Sequence, residues 1–479
     1  MTAITWQVPS AVAIVCAITL VFAPVTLIYL SMTDHDAARV VQLALLAAVA
    51  IAVVATTVFQ PSAQSELPSR SLVLIVSVGL LTAASVWQSD LRRYAALEAG
   101  LLFALGLLAL SFADATFDRY VKWLLVVPVV ASSVFGFIVA VRYSAALVTE
   151  STLLREHLFP GFSNYRFLNH VQTVTIPLLL AAMLMGPTRY ALRRWALFAL
   201  VLEFCWLFFS GGRATLLALS GATVLVWLFF GTRARAWTIW LLVAASLGAA
   251  LYATMFQLVP AALDLGRDFF AGDFATRSQA DVGTPRKYLW GLALDYIRES
   301  TLVGIGPMHY AARVNTEAAH PHNFYLQLAA EWGVPFALLL VGLAIAGLKR
   351  LISATKSAGD EEEQALGISL VGACCAIAID AMFSGNFVMP MSQLWIAFAA
   401  GLSIAYTRRW LPSKGRSVHI RPAVARTVLV LLCLGSQLAI WYGVWPEILD
   451  VPAHVDRVRG EVVTNERDNP RVWSHGWIR

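Results

Sequence analysis

The chain has 479 residues, of which 59% are hydrophobic and only 13% are charged. A soluble domain carries about 25% charged residues, so this composition excludes an ordinary soluble enzyme or binding module. The formal net charge is +6, which fits basic membrane flanks and an anionic substrate better than a nucleic acid partner.

Apolar runs of about 20 residues recur along the chain, long enough to cross a bilayer core of about 30 Å as helix. They are continuously apolar and do not alternate, which favours helices over membrane strands. We therefore predict an all-α polytopic membrane protein with 12 or 13 transmembrane helices. The candidate spans are residues 10–31, 38–59, 71–88, 94–113, 120–141, 167–186, 194–209, 214–231, 236–256, 332–349, 365–386, 391–407 and 425–445.

The orientation follows from basic residues in the short loops, because such residues accumulate on the cytoplasmic side. Four basic loops fall on the same side when the spans are counted, whereas Arg92 and Arg93 lie in a short loop on the opposite side. The N-terminus is then cytoplasmic as well. The basic loop residues are Arg189, Arg193, Arg194, Arg233, Arg235, Lys349, Arg350, Lys356, Arg408, Arg409, Lys414 and Arg416.

The span pattern divides the chain into a first part of the bundle (1–256), an outer loop (257–322), a second part of the bundle (323–445) and a polar C-terminal tail (446–479). We expect the tail to be solvated and to have little structure of its own. Within the outer loop, residues 285–300 predict a short amphipathic helix at the membrane interface, with Thr284 as its N-cap and Pro285 at its first position. All five cysteines lie in apolar runs, so we expect neither a disulfide framework nor a metal-thiolate cluster.

Arg213 follows a Ser-Gly-Gly turn between two closely spaced spans. A helix that begins at about Ala214 directs its positive end towards this turn, and the arginine fork fits phosphate oxygens. The alternative is an interfacial arginine whose head group extends to the lipid headgroups. The glycine pair beside the helix start favours an anion site.

Arg286 and Lys287 lie at the start of the predicted amphipathic helix. A cation at a helix N-terminus is opposed by the helix dipole, so a nearby anion would explain Arg286 more readily than an isolated position would. The alternative for both residues is an ordinary solvated basic face.

Two histidines close the outer loop, at the point where the chain re-enters the membrane. Pro321 disfavours helix at His320, while His322 and Asn323 begin the next helix. Histidine is the side chain best suited to move a proton near neutral pH. Two histidines with no third ligand at a suitable spacing do not form a zinc site, and polar surface is the alternative for each of them.

Polar side chains also mark the outer end of the span 167–186. Asn169, His170 and Gln172 can hydrogen-bond a sugar or a diphosphate there, or they can simply face lipid headgroups. Asp380 and Glu98 lie inside apolar runs, where an acid is costly unless it is paired or faces a wet cavity. Each of these two acids fits a structural pair as well as a functional site.

The ordered set of motifs over residues 165–390 resembles the bacterial O-antigen ligase and polymerase superfamily. Residues 211–217 (GGRATLL) are similar to its small-residue, arginine and apolar-helix element. Arg286, followed by residues 302–306 (LVGIG), resembles its Arg…Leu-x-Gly-x-Gly arrangement. Residues 322–326 (HNFYL) with Glu331 and Gly333 resemble its His-Asn-x-x-Leu…Glu-x-Gly motif, and Asn169 before a span is a weaker fourth element.

The resemblance implies a helical bundle of the glycosyltransferase C type in the bacterial inner membrane, with its active site facing the periplasm. The donor would be a glycan on undecaprenyl diphosphate and the acceptor a sugar hydroxyl of lipid A–core oligosaccharide, with no metal or other cofactor. Arg213 and Arg286 would stabilise the diphosphate charge, and His322 would act as general base in an inverting transfer. Asn323, Lys287, Asn169, His170, Gln172 and His320 would contact substrate, whereas Glu331 would have a structural role.

Two other functions stay open from the sequence. A polymerase that joins lipid-linked repeat units shares the same motifs, although the large outer loop just before His322 favours a ligase. A lipid-linked saccharide transporter predicts internal repeats and charges near mid-membrane, whereas the polar residues here gather at one face. We expect a monomer that contacts membrane lipids.

Overall fold

The protein is a bundle of long helices. The structure is a computed structural model that describes residues 16, 18–21, 32–59, 66–114, 123–149, 158–185, 190–265, 283–411, 417–419, 422–462 and 469–478. The helices of the first half are α1 (Asp34–Phe59), α2 (Ser69–Gln88), α3 (Arg92–Asp114), α4 (Val126–Val148), α5 (Tyr165–Leu184), α6 (Tyr190–Ser210), α7 (Arg213–Phe230), α8 (Arg235–Ala253) and α9 (Val259–Ala262). Those of the second half are α10 (Gly283–Glu299), α11 (Phe324–Trp332), α12 (Val334–Ser357), α13 (Glu361–Asp380), α14 (Pro390–Trp410), α15 (Pro422–Val444) and α16 (Val451–Glu461).

The all-α polytopic membrane fold predicted from the sequence is confirmed. Eight helical stretches of the described chain are long and apolar enough to cross a membrane. Each predicted span after the first overlaps a helix, whereas most of span 10–31 lies outside the described residues. Eight is fewer than 12 or 13 partly because α7 and α8 form one continuous helical stretch. In addition, α2 has a shorter apolar portion, and α6 and α14 contain more polar and charged residues.

Helix α5 is the centre of the bundle. Of its most apolar stretch, 83% is buried inside the protein, against 17% for the peripheral helix α12. It packs against α6, α13 and α14, and Asn164 caps its first turn by accepting from the Arg166 amide at 3.0 Å. The polar residues at the N-terminal end of α5 therefore lie where several helices meet.

Helix α13 ends earlier than the sequence predicts. The apolar run extends to residue 386, but the helix stops at Asp380. Ser384 donates to the Asp380 carboxylate at 2.8 Å, and the Asn386 side chain donates to the Ile377 carbonyl at 3.1 Å. Residues 381–389 thus form a non-helical segment, because their polar side chains satisfy the backbone and acid at the helix end.

The predicted amphipathic helix is present as α10, which begins at Gly283 rather than at Pro285. Its apolar face packs on α11, and the Trp290 indole donates to the Pro321 carbonyl at 3.1 Å. Helix α11 is short and ends at Gly333, whose φ of +86° breaks the helix before α12 begins at Val334.

Two short strands join distant loops. Strand β1 (Glu66–Pro68) pairs antiparallel with β2 (Ser417–His419). The sequence gives no alternating pattern long enough to predict this pair.

The expectation of a solvated C-terminal tail is wrong for residues 469–478. Arg471, Trp473 and Trp477 are each at most 2% exposed. Before this segment, Asp450 caps α16 by accepting from the Ala453 amide at 3.1 Å. Some charged residues of the tail therefore have structural roles: Arg471 is buried and Asp450 caps a helix.

Arg93, which the loop-charge count placed on the unexpected side, is paired. Its guanidinium forms an ion pair with Glu447 and donates to the Trp445 carbonyl at 3.0 Å. An arginine that is neutralised by a neighbouring acid adds little to a charge bias between the two sides.

Candidate functional site

Arg213 is the first residue of α7 and is exposed beside a tight glycine turn. Gly211 has a φ of +65°, a conformation that favours glycine. A Cβ on Gly212 would lie 2.8 Å from Cγ of Asn169. The turn therefore needs both glycines to approach α5 closely and to present Arg213 on its open side.

Asn169 and Gln172 hold this turn from beneath. The Asn169 amide donates to Ser210 Oγ at 2.7 Å and to Gln172 Oε1 at 2.8 Å, and the Gln172 amide donates to the Glu203 carbonyl at 2.8 Å. Asn169 is 4% exposed and Gln172 is fully buried. In this structure both side chains support the Arg213 turn, and substrate contact by Asn169 and Gln172 stays a prediction.

Arg286 brings a second guanidinium to the same place. It is half-buried on α10, and its Nη2 donates to the Phe383 carbonyl at 3.1 Å. Burial and the nearby guanidiniums of Arg166 and Arg213 lower the pKa of Arg286, and Asp380 opposes this shift. Three arginines thus interact electrostatically at one end of the bundle, where their repulsion favours binding of an anion.

Lys287, the neighbour of Arg286, is exposed and follows it by one position around the helix. Among the residues that the structure describes, no side-chain hydrogen bond or ion pair joins Lys287 to the other candidate residues. Its role as a substrate contact stays a prediction.

His320 and His322 pack directly on each other. Their ring centroids are 4.2 Å apart, and the His322 amide donates to His320 Nδ1 at 3.2 Å. His322 has a φ of +52°, which is unusual for a residue with a side chain. A Cβ on Gly385 would lie 2.7 Å from Cε1 of His320, so the segment after α13 encloses this ring.

His322 faces the arginine group. It is half-buried, whereas His320 is only 2% exposed. Burial, together with the charges of Arg286, Arg166 and His170, lowers the pKa of His322 to about 3. The imidazole is therefore neutral at physiological pH and carries a free lone pair that can accept a proton.

His170 and Asp380 lie beside the group of arginines, and Asp380 brings a carboxylate to it. His170 Nδ1 lies 3.6 Å from Asp380 Oδ2, and Asp380 is fully buried. Within the described part of the chain, Asp380 Oδ1 has no hydrogen-bond partner. Asp380 thus provides one negative charge against the arginines. Across the ranges that the structure describes, no three His, Cys, Asp or Glu side chains are placed to hold a metal ion.

These features define a class: a multi-pass α-helical membrane protein whose cationic site lies beside a neutral histidine. A family model described as O-antigen ligase matches residues 195–341, which include Arg213, Arg286 and His322. This match covers 147 of the 479 residues. It supports a member of the O-antigen ligase and polymerase superfamily and, in general terms, a membrane glycosyl transfer of the ligase or polymerase type. No curated protein matches the chain.

The sequence singled out most of the residues that the structure brings together, but it missed Arg166. An arginine just before an apolar run is ordinarily explained by lipid headgroups, so no local signal distinguished it. The sequence also missed the Phe383 carbonyl, because the early end of α13 is not visible in the hydropathy.

Proposed function

We propose that this protein is an O-antigen ligase, which transfers a glycan from undecaprenyl diphosphate to a sugar hydroxyl of lipid A–core oligosaccharide at the periplasmic face of the inner membrane. The observation that supports this proposal most is the convergence of Arg166, Arg213 and Arg286 beside the neutral imidazole of His322. A polyprenyl diphosphate supplies the anion that such a site favours.

The arginines act on the leaving group. As the bond from the anomeric carbon to the diphosphate breaks, its electron pair passes to the diphosphate oxygen and negative charge develops there. Arg213 and Arg286 reach this charge from two different helices, and preorganised donors of this kind lower the barrier most in a site of low dielectric. Arg166 provides a third positive charge on the same side.

His322 acts on the acceptor. One ring nitrogen takes the proton of the sugar hydroxyl while the oxygen attacks the anomeric carbon opposite the leaving diphosphate, so the configuration at that carbon inverts. General-base assistance of this kind contributes about 10²–10⁴-fold. Donor binding also favours the step, because the diphosphate charge offsets the arginines and makes the imidazole a stronger base.

The test is glycan transfer by the purified protein in lipid nanodiscs, with a polyprenyl-diphosphate-linked glycan and lipid A–core as substrates. Arg286→Ala is expected to lower kcat by about 10²–10³-fold. Arg298→Ala is the matched control, because Arg298 lies on the same helix, is 76% exposed and pairs only with Asp295 in the described residues. His322→Ala is expected to lower kcat by about 10²–10⁴-fold.

Full activity of His322→Ala would contradict the base assignment, and equal losses in the two arginine variants would contradict the diphosphate site. A transporter would form no new glycosidic bond in this assay. The polymerase alternative is tested in a strain that lacks the protein: unligated long polymer on the lipid carrier indicates a ligase, and a single repeat unit on the core indicates a polymerase.

A further inference from the structure

The C-terminal segment 469–478 lies inside the fold beside the histidine loop, which is the stretch 311–323 that carries His320 and His322. Ser474 and His475 are each 1% exposed, and the Ile478 amide donates to the Ala311 carbonyl at 3.2 Å. The Ser474 amide and hydroxyl donate to Asp36 on α1 at 2.6 and 2.8 Å. Such a segment contributes to the interior, so the arginine that it carries requires a buried partner.

That arginine is Arg471, and its main partner is Glu331. Arg471 Nη2 lies 2.6 Å from Glu331 Oε2, and both side chains are at most 1% exposed. Glu98 on α3 lies 3.3 Å from the same nitrogen. The ion pair therefore joins the C-terminal segment to α11, the helix that begins directly after His322.

Glu331 also contacts residues 306–310, which lie on the N-terminal side of the histidine loop. Its Oε1 accepts from the Tyr310 amide at 3.1 Å, and its backbone carbonyl accepts from the Gly306 amide at 3.0 Å. Residues 306–310 precede the histidines, while α11 follows them. Arg471 thus fastens both ends of the loop through one carboxylate.

A second connection runs through Arg39 on α1. Its Nη2 donates to the Arg471 carbonyl at 2.9 Å and to the Val388 carbonyl at 2.8 Å. The Val388 amide in turn donates to the Gly385 carbonyl at 2.8 Å, and Gly385 is the residue that packs against the ring of His320. Residues 385–388, which pack against His320, and the loop that carries His320 are therefore both connected to the C-terminal segment 469–478.

We infer that Arg471 is a positioning residue for glycosyl transfer, which holds His320 and His322 in their reactive arrangement; this inference rests on the proposed function. His322 keeps its left-handed backbone only while its surroundings impose it, and its amide needs an unprotonated Nδ1 on His320. Arg471 reaches no substrate. It acts through Glu331 on the loop and through its charge on His320.

The charge effect gives the inference a signature in pH. Burial lowers the pKa of His320 well below its ordinary value, and the neighbouring charges of His322, Arg471, His170 and His35 lower it further. Protonated Nδ1 cannot accept from the His322 amide, so protonation of His320 disrupts the arrangement. Without the Arg471 charge the pKa of His320 rises, so the arrangement is lost at a higher pH. This loss adds to the protonation of His322 and moves the acid limb of the rate profile to higher pH.

The experiment compares Arg471→Met, Arg471→Gln and Arg471→Lys, with Arg457→Met as the matched control on the exposed part of the tail. Arg471→Met is expected to lower kcat by about 10–100-fold, with KM for donor and acceptor unchanged and the acid limb of kcat at higher pH. Arg471→Gln keeps a donor for Glu331 and should still show the acid-limb shift. Arg471→Lys keeps the charge and should retain most of the activity and the wild-type pH profile.

Hydrogen exchange provides a readout that does not require activity. In Arg471→Met the amides of residues 305–323 should lose protection, whereas Arg457→Met should leave them unchanged. Wild-type kcat, pH profile and exchange in both Arg471→Met and Arg471→Gln would overturn the inference. A fully active His322→Ala would overturn the base assignment instead, and the exchange result would still decide whether Arg471 holds the loop.

Discussion

Gly304 lies at the closest approach of the chain segment before the histidine loop to α11. Its φ is +71°, and a Cβ built on it would lie 2.3 Å from the carbonyl carbon and oxygen of Glu331. Two hydrogen bonds follow immediately, from the Ile305 amide to the Ala330 carbonyl at 2.8 Å and from the Gly306 amide to the Glu331 carbonyl at 3.0 Å. We therefore expect Gly304→Ala to separate this segment from α11.

The expected cost has two parts. An alanine in the left-handed region costs about 1–2 kcal/mol. Backbone atoms cannot rotate away from the added methyl group, so the two adjacent hydrogen bonds lengthen or break, at about 1 kcal/mol each. Together these losses destabilise the protein by about 3–4 kcal/mol, and they loosen the same contact that carries Glu331.

Thermal unfolding in detergent measures this effect, and Gly291→Ala is the matched control. Gly291 lies inside α10 with no atom within 4 Å of an added Cβ, so alanine there should stabilise the helix by about 0.5–1 kcal/mol. We expect the apparent Tm to fall in Gly304→Ala and to stay or rise in Gly291→Ala. An unchanged Tm in Gly304→Ala would refute the close-approach argument.

Three further effects are expected. Asn323 caps α11 by accepting from the Leu326 amide at 3.1 Å, so Asn323→Ala should cost about 1 kcal/mol in thermal unfolding, whereas Asn323→Asp should retain the cap; equal Tm values would contradict this. The pKa of His322 is about 3 without donor, and bound diphosphate should raise it. Because kcat/KM reports the free enzyme and kcat reports the complex, the acid limb of kcat/KM should lie at lower pH than that of kcat. Acid limbs at the same pH would contradict this. Asn169→Ala removes the donors to Ser210 and Gln172 and should lower kcat by misplacing Arg213; transfer assays with unaltered kcat would exclude this support.

The sequence predicts the helices well because lipid selects long apolar segments whatever their neighbours are. It also singles out Arg213, Arg286 and His322, because charge is rare in such a chain and each residue stands at a boundary. The structure brings these three residues together, and their catalytic roles stay predictions. The sequence does not predict the ion pair between Glu331 and Arg471, which lie 140 positions apart in the chain. Hydropathy identifies a charged residue within an apolar run, but it does not identify the distant residue that neutralises its charge.

The same limit explains the error over the tail. Residues 446–479 contain many charges, and composition alone favours a solvated segment. In the structure Glu98, which lies inside an apolar run, and Glu331 both flank the buried Arg471. Apparently isolated charges in separate parts of a membrane protein are thus better considered together, since each one needs a partner of opposite sign.

The two groups of charges in this fold differ in a way that separates support from chemistry. Around Arg471, the carboxylates of Glu98 and Glu331 are balanced by the guanidiniums of Arg471 and Arg39, so that group is compensated within the protein and suits a permanent contact. Around His322, Arg166, Arg213 and Arg286 interact with one buried acid, Asp380, within the described ranges of the chain, so the described part of that group has an excess of positive charge. In the proposed function, the diphosphate donor supplies the missing negative charge and raises the basicity of the imidazole beside it. If His322 is the base that we propose, the compensated group fixes its position and the uncompensated group, once the donor is bound, activates it.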